Sequence, residues 1–164
     1  MKRNMLVKIS GSLINNEKAL WRLKELSGQN SLVVIPGGGE DINKAFRERG
    51  FEIRFGPLGR ITRTLEERQV ARDVLEKNQA LLQDLLDEKG IDGRVVIPAR
   101  EIGTVLCLEN GDVIVLSAYN GFDKIIILTS ESKVEEKQLW IKQLAKCFQH
   151  IEKGELDKIE VIGF

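Results

Sequence analysis

Two stretches in the first third of the chain decide the fold: MLVKISGSL at residues 5–13 and SLVVIPGGGEDINKAF at residues 31–46. Each is a run of apolar residues that breaks into a glycine-rich turn and is followed by a segment with apolar residues at helical spacing. Uniformly apolar strands followed by helices are typical of a parallel sheet that is buried on both faces. The two stretches therefore predict two neighbouring strand–glycine–helix units, with one lysine, Lys8, inside the first strand.

The same alternation continues along the chain. We predict helices over 16–27, 39–49, 64–89 and 133–153, and further strands in GRVVIPA at 93–99, DKIIILTS at 123–130 and DKIEVIGF at 157–164. The segment GTVLCLENGDVIVLS at 103–117 is interpreted as two strands joined at Asn110-Gly111, because Asn-Gly favours a type I′ hairpin turn. The pattern predicts one domain over residues 1–164, a three-layer α/β/α sandwich with a mostly parallel sheet and this hairpin at one edge.

The composition excludes several classes of function. The chain has 164 residues, and its 25 Lys and Arg balance its 25 Asp and Glu, which argues against a nucleic-acid partner held mainly by charge. No apolar run approaches the roughly 18–20 residues of a membrane span. His150 is the only histidine, and Cys107 and Cys147 are isolated, so we predict no metal site and reduced thiols in a cytoplasmic protein.

The glycine turns at 10–12 and 36–39 predict a ligand site. Ligands of open α/β sheets bind at the carboxyl ends of the strands, where glycine lets backbone N–H groups approach closely and a helix N-terminus adds positive charge. With Lys8 entering from the same strand end, the arrangement favours an anion, above all a phosphoryl group in transit, and predicts a small anionic metabolite as the partner. The alternative is that these glycines only form tight turns.

Three ordered stretches resemble the amino acid kinase family, which includes acetylglutamate kinase, aspartokinase, uridylate kinase and isopentenyl phosphate kinase. LVKISGSLI at 6–14 resembles its first strand and loop, and LVVIPGGGEDINKAF at 32–46 resembles its second glycine loop. The segment at 56–91, which begins GPLGRITRT, is similar to a turn, long helix, asparagine and closing glycine of acetylglutamate kinase. The resemblance implies a carbamate kinase-like fold with a shortened nucleotide-binding half, and phosphoryl transfer from ATP with magnesium to a carboxylate or phosphate acceptor.

The resemblance also implies roles for individual residues. Lys8 and Lys142 would be the catalytic lysines, the latter placed by its spacing before Gly154, and Arg60 and Asn78 would contact the acceptor. The first loop would offer donors to nucleotide phosphates, from Ser10, Gly11 and Ser12. The second loop would offer N–H groups to the acceptor, from Gly37, Gly38 and Gly39. Asn78 has an alternative interpretation as an exposed polar residue within a helix.

Two departures from the family pattern leave the function open. VIVLSAYNGFDK at 113–124 has no aspartate at the place of the family's N-x-D motif, and the family's L-T-D-x-x-G reads LTSESKV at 128–134. The chain is therefore either an active kinase, a catalytically degenerate binding or regulatory module, or a protein that shares only the fold. We also expect a homodimer, because the helix at 64–89 and the tryptophans Trp21 and Trp140 offer more apolar surface than one small sheet covers.

Overall fold

The computed structural model of the chain describes residues 2–102, 105–151 and 156–164. The strands are β1 Arg3–Ile9, β2 Asn30–Pro36, β3 Phe55–Gly56, β4 Gly59–Arg60, β5 Gly93–Val95, β6 Ala99–Ile102, β7 Val105–Leu108, β8 Lys124–Thr129 and β9 Ile159–Gly163. The helices are α1 Glu17–Gln29, α2 Gly39–Glu48, α3 Leu65–Glu88, α4 Gly111–Ser117 and α5 Val134–Ala145. Predicted and observed bounds agree closely for α1, α2 and α3.

The central sheet has five parallel strands in the order β5-β2-β1-β8-β9. β1 lies in the middle, and its Lys8 is in register with Ile35 of β2 on one side and Ile127 of β8 on the other. Because parallel strands end at the same edge of the sheet, the turns that follow β1, β2 and β8 lie side by side. This edge holds the candidate site.

Helices cover both faces of the sheet, as the apolar strands predict. On one face, Val7 and Ile9 of β1 pack with Leu23 of α1 and with Leu82 and Leu86 of α3. On the other face, a second core joins β1, β2 and β8 to α4 and α5 through Leu6, Ile35, Val115, Ile127 and Leu144. The predicted α/β architecture, a mostly parallel sheet between helices, is therefore confirmed.

The predicted Asn-Gly hairpin is wrong. Asn110 has extended backbone angles, φ −68° and ψ 134°, and its side-chain oxygen accepts a hydrogen bond from the backbone N–H of Asp112, so it caps the N-terminus of α4. A type I′ turn needs positive φ at both central residues. The apolar residues that follow form a helix, which buries Val115 and Leu116 against the sheet. The antiparallel hairpin in this region joins β6 to β7 instead.

The last helix is shorter than predicted. α5 ends at Ala145, and the next N–H groups bond three residues back, from Cys147 to the carbonyl of Leu144 and from Phe148 to the carbonyl of Ala145. Such bonds tighten and end an α-helix. The final residues of the predicted range lie outside the described part of the chain.

Two glutamines of α3 close the outer edge of β5. Gln79 donates a hydrogen bond to the carbonyl of Val95, and Gln83 both accepts from the N–H of Val95 and donates to the carbonyl of Gly93. These bonds satisfy backbone groups that an edge strand otherwise leaves open. None of the helices in the described ranges is long and apolar enough to cross a membrane.

Candidate functional site

The two glycine turns touch each other at the carboxyl end of the sheet. The N–H of Gly37 donates to the carbonyl of Ile9 over 2.7 Å, which draws the second turn against the first. A Cβ atom on Gly11 would lie 2.8 Å from the carbonyl oxygen of Gly37, closer than real Cβ contacts. Position 11 therefore requires glycine, because the two backbones approach too closely for a side chain. We call the surface formed by Gly11 and Gly37 the glycine floor.

Lys8, near the end of β1, is a nearly buried lysine beside these glycines. Its side chain reaches Asp112 in the first turn of α4, with 3.5 Å between Nζ and Oδ1. The other carboxylate oxygen of Asp112 accepts hydrogen bonds from Lys137 over 2.7 Å and from the indole N–H of Trp140 over 3.1 Å, both on α5. Residues Lys8 and Asp112 are only 8% and 3% exposed. The buried carboxylate of Asp112 thus forms ion pairs with two ammonium groups.

The electrostatics of this cluster favour an anion. Burial lowers the pKa of the Lys8 ammonium group, and the charge of Asp112 offsets only part of that effect. Burial would by itself raise the pKa of the Asp112 carboxyl, but the charges of Lys8 and Lys137 outweigh it and lower that pKa. With both lysines protonated and Asp112 ionised, the formal charges of the three groups sum to +1 in a site with little access to water.

Arg60 brings a second cation to the same cavity. Its guanidinium group stacks over the rings of Phe46 and Phe55, at 5.2 and 4.9 Å from their centroids. Nη2 donates to the carbonyl of Gly39 over 3.0 Å and to the side-chain oxygen of Asn43 over 2.7 Å. Nη1 is buried and has no hydrogen-bond partner among the described residues, and burial lowers the pKa of the group. Arg60 is therefore held in place with one nitrogen left to bind a ligand.

The cavity between these cations has a volume of about 250 Å³. Its polar wall holds the cations Lys8, Lys137 and Arg60, the glycines at 37–39, and two carboxylates, Asp112 and Glu109, of which Glu109 pairs with Arg100. Its apolar wall holds Ile42, Ala71, Leu75, Pro98 and Leu108. The first N–H groups of α2 have no acceptor within their own helix, which leaves positive dipole ends at the cavity. We call this space the main cavity.

A second cavity of about 240 Å³ adjoins the main cavity across the glycine floor. It shares Lys8, Gly37, Gly39 and Lys137 with it, and hydroxyl-bearing residues line its other side. Those residues include Ser10, Ser12, Thr129 and Ser130. The two spaces therefore offer cations and hydrogen-bond donors on both sides of Lys8.

The structure brings most of the predicted site residues together. The main cavity is lined by Lys8, Gly37, Gly38, Gly39 and Arg60, and the second cavity by Ser10, Gly11 and Ser12. Asn78 is buried behind the glycine floor, where its amide donates to the carbonyl of Gly37 and to Asp41. Lys142 is exposed on α5 and lines neither cavity. Its spacing partner Gly154 lies outside the described residues.

Asp112 and Lys137 are the site residues that the sequence interpretation missed. A signal for Asp112 was present, because Asn110-Gly111-Asp112 has the N-x-D spacing that was sought only after residue 112. The interpretation of Asn110-Gly111 as a hairpin turn hid it. Lys137 and Lys142 both lie on α5, and only the packing of that helix on the sheet shows which of them reaches the site. Within the described ranges, no group of three or more His, Cys, Asp or Glu side chains could hold a metal ion.

Three solved structures share this fold at low sequence identity. The structure of smu.665 from Streptococcus mutans UA159 matches with a TM-score of 0.67 at 14% identity, over 98% of this chain and 95% of that one. The N-acetylglutamate synthase of Neisseria gonorrhoeae matches in two structures, at 13% and 12% identity and TM-scores of 0.57 and 0.59. One synthase structure is complexed with coenzyme A and N-acetyl-glutamate, the other with coenzyme A and L-arginine.

The chain spans about half of the synthase, 54% and 56% of its length in the two structures. At identities this low, the structural likeness shows a shared fold alone. No protein-family model matches the chain. No curated protein sequence matches it at a significant level.

These findings overturn the kinase assignment. The synthase structures contain coenzyme A, and neither a kinase nor ATP is named for any of the three matching structures. Membership of the amino acid kinase family, ATP-dependent phosphoryl transfer, and ATP and magnesium as cofactors are therefore corrected. The kinase prediction rested on strand–glycine–helix junctions. Such junctions indicate that a site can bind anions, but they do not specify which reaction it catalyses. The carbamate kinase-like description and the degenerate-kinase alternative have no support from these matches.

Proposed function

We propose that this protein binds a small acidic metabolite in the main cavity. The observation that carries the proposal is the charge balance around Asp112, where Lys8 and Lys137 share one carboxylate. A buried charge without a counter-ion is costly, and an anionic ligand would offset that cost. Arg60 adds a further positive charge at the same cavity.

The lining of the main cavity suggests how the ligand is held. An acidic group would lie between Lys8, Lys137 and the N–H groups at the start of α2. A second polar group would accept a hydrogen bond from the unpartnered Nη1 of Arg60. The wall formed by Ile42 and Leu75 would pack against a methylene or acyl segment.

The volume of the main cavity limits the size of the ligand. Sites for drug-sized ligands measure roughly 300–1,000 Å³, so a cavity of about 250 Å³ suits a molecule of amino-acid size. An acylated acidic amino acid has this size and these groups. One of the synthase structures supports this class, because N-acetyl-glutamate is a ligand named in it. We further propose a single domain, since all three apolar cores adjoin elements around one sheet.

A second candidate function is acyl transfer from a coenzyme A thioester. The coenzyme A in both synthase structures supports it. In this chain the second cavity, which meets the main cavity at Lys8, would hold one end of such a donor. The main cavity is too small to enclose a whole coenzyme A molecule, so the acceptor alone would occupy it.

Ligand-dependent melting tests the proposed binding. N-acetyl-L-glutamate, L-glutamate, inorganic phosphate and coenzyme A are compared with the neutral N-acetyl-glutamate diamide. A ligand at 100 times its dissociation constant should stabilise the fold by about 2.7 kcal/mol. We expect an acid from this panel to raise the melting temperature and the diamide to leave it unchanged. No shift with any acid would contradict the proposal, and thiol release from acetyl-coenzyme A with L-glutamate tests the second candidate.

A pair of arginine variants assigns the binding to the main cavity. Arg60→Ala should weaken the binding of the acid about 10–100-fold, because a hydrogen bond to a charged group is worth about 1.5–3 kcal/mol. Arg63→Ala removes an arginine three positions along that does not line the cavity, and it should leave the affinity unchanged. Equal effects of the two substitutions would place the ligand elsewhere.

A further inference from the structure

Asn78 is a polar side chain in the middle of the buried face of α3. It is 7% exposed, and the other buried residues on that face include Ala71, Leu75, Leu82 and Leu86. An apolar residue at position 78 would continue this face without a break. A buried amide lowers stability unless its polar groups find partners. The partners of Asn78 therefore indicate what the amide does.

The amide nitrogen of Asn78 bonds to the second glycine turn. It donates to the carbonyl of Gly37 over 3.0 Å and to Oδ2 of Asp41 over 3.1 Å. A carboxylate only accepts hydrogen bonds, so Asp41 keeps the nitrogen of the amide, and not its oxygen, toward Gly37. The N–H of Gly37 in turn donates to the carbonyl of Ile9 over 2.7 Å. Both backbone polar groups of Gly37 are therefore held in place.

The bond from Asn78 also sets the direction of the next N–H group. The peptide between Gly37 and Gly38 is trans, and in a planar trans peptide the carbonyl and the following N–H point in opposite directions. Because the carbonyl of Gly37 points to Asn78, the N–H of Gly38 points away from it. Gly38 lines the main cavity, and its N–H has no acceptor among the described residues. This N–H is therefore available to a ligand.

Gly38 itself packs against α3, one turn before Asn78. A Cβ atom on Gly38 would lie 2.9 Å from Cδ2 of Leu75 and 3.4 Å from Cδ1 of Ile42. Glycine at this position thus lets the turn lie directly on the helix. The turn is fixed to α3 twice, by the contact with Leu75 and by the hydrogen bond from Asn78.

We propose that Asn78 is a positioning residue of the main cavity: it orients the Gly37–Gly38 peptide so that the N–H of Gly38 faces the cavity and donates to the acidic group of the ligand. Lys8 and Arg60, which line the same cavity, attract the acid by charge. A hydrogen bond is directional, so the oriented N–H fixes where one oxygen of the acid lies. Donation to the ligand rests on the proposed function, whereas the orientation of the peptide does not.

Asn78→Ala tests the effect of this orientation on binding. The substitution changes no charge, so the attraction between the acid and the lysines is kept. The variant should bind N-acetyl-L-glutamate about 10-fold more weakly than wild type, because a donor to a charged group is no longer held in place. The melting temperature of the variant measures its loss of stability separately.

Gln79→Ala is the matched control. Gln79 is the next residue on α3, and its amide also donates one hydrogen bond to a backbone carbonyl, that of Val95. It lines neither the main cavity nor the second cavity. Gln79→Ala should therefore lower the melting temperature and keep the wild-type affinity for the acid.

Nuclear magnetic resonance of isotope-labelled protein tests the orientation itself. In the free protein, the N–H residual dipolar coupling of Gly38 should match the structure, and Asn78→Ala should change it while the coupling of Gly93 in β5 stays the same. At saturation with the acid, the amide proton of Gly38 should move downfield in wild type and much less in Asn78→Ala. A residue that only supports the fold would not alter this response.

A second variant covers the case in which Asn78→Ala fails to fold. Asn78→Asp combined with Asp41→Asn keeps the size and the net charge of the pair, and it exchanges the donor for the acceptor. The two side chains can still bond to each other, but a carboxylate at position 78 cannot donate to the carbonyl of Gly37. This double variant should weaken the binding of the acid by at least the same factor.

The outcomes separate this inference from the proposed function. Wild-type affinity in the Asn78 variants, or an equal loss of affinity in Gln79→Ala, would overturn the role of Asn78. An unchanged coupling of Gly38 in Asn78→Ala would overturn it as well. If that coupling changes and no acid of the panel binds to wild-type protein, the orientation by Asn78 is upheld and the proposed function alone is overturned.

Discussion

Lys8 and Asp112 face each other across 3.5 Å, one near the end of β1 and the other in the first turn of α4, and both are almost excluded from water. Lys137 takes the other oxygen of the same carboxylate. The Asp112 carboxylate therefore holds the ammonium groups of Lys8 and Lys137 in fixed positions at the main cavity. An acidic ligand would therefore bind to ammonium groups that are already in position before it arrives.

Asp112→Asn should lower the stability of the fold and strengthen anion binding together. The substitution removes the one counter-ion that Lys8 and Lys137 have among the described residues. Losing one partner of a buried pair costs about 3–5 kcal/mol. The uncompensated charge of the cavity rises by one unit, so N-acetyl-L-glutamate should bind more tightly. Urea denaturation with and without the acid measures both effects.

Asp92→Asn is the matched control for this experiment. Asp92 pairs with Lys2 over 3.0 Å, but both side chains are largely exposed to water. Exposed pairs contribute about 0–1 kcal/mol, so the variant should resemble wild type in stability and affinity. Equal losses of stability in the two variants would show that the Asp112 cluster is not the buried network described above.

Gly11→Ala should weaken both the fold and the site. The new methyl group would meet the carbonyl of Gly37 at 2.8 Å, and neither backbone can yield without moving the glycine floor. Overpacking of this kind costs about 1–3 kcal/mol. Gly28→Ala in α1 is the opposite case, because its Cβ meets nothing within 4 Å and alanine favours a helix by roughly 0.5–1 kcal/mol over glycine. In thermal unfolding, Gly11→Ala should lower the melting temperature and Gly28→Ala should raise it.

The affinity for an acid should fall as the pH rises through the lowered pKa of Lys8. Burial places that pKa below its ordinary value of 10.5, so Lys8 loses its charge earlier in the alkaline range than an exposed lysine. Lys8→Arg keeps a charge throughout that range and should flatten the profile. Calorimetric titration across the alkaline range compares the two proteins, and identical profiles would contradict a role for Lys8 in binding.

The same pKa has the opposite effect on the stability of the free protein. Between the folded pKa of Lys8 and 10.5, the unfolded chain holds a proton at Lys8 that the folded chain has released. The unfolded state then binds more protons, so the contribution of Lys8 to the free energy of unfolding rises with pH in that window. The difference in stability between wild type and Lys8→Arg, measured by urea denaturation at several pH values, should change in this direction.

We expect a homodimer built on the α1–α3 layer. Trp21 on α1 is 63% exposed and Leu81 on α3 is 39% exposed, so both offer apolar surface to a second copy. Trp140, by contrast, donates to Asp112 and belongs to the site. Sedimentation at micromolar concentration should show a dimer that Trp21→Glu dissociates, whereas Leu139→Glu on the opposite layer should not. A wild-type monomer would reject the expectation.

The layers of the fold could be predicted because burial on both faces leaves a continuous apolar run in each strand. The helical structure of the segment after Asn110 could not be predicted. A short apolar run is compatible with a strand or a helix, and Asn-Gly is compatible with a turn or a helix cap. Gly11, Gly37 and Arg60 were visible as motifs. The sharing of Asp112 by Lys8 and Lys137 was not, because it depends on how three separate elements pack around one carboxylate.

A crystal structure of the protein with N-acetyl-L-glutamate tests the central claim most directly. We predict a carboxylate of the ligand within hydrogen-bond distance, about 2.7–3.2 Å, of Lys8 Nζ or Lys137 Nζ, and a second polar group at Nη1 of Arg60. The acyl or methylene segment should lie along Leu75. A ligand bound away from all three cations, or a main cavity that stays empty at saturating concentration, would contradict the account.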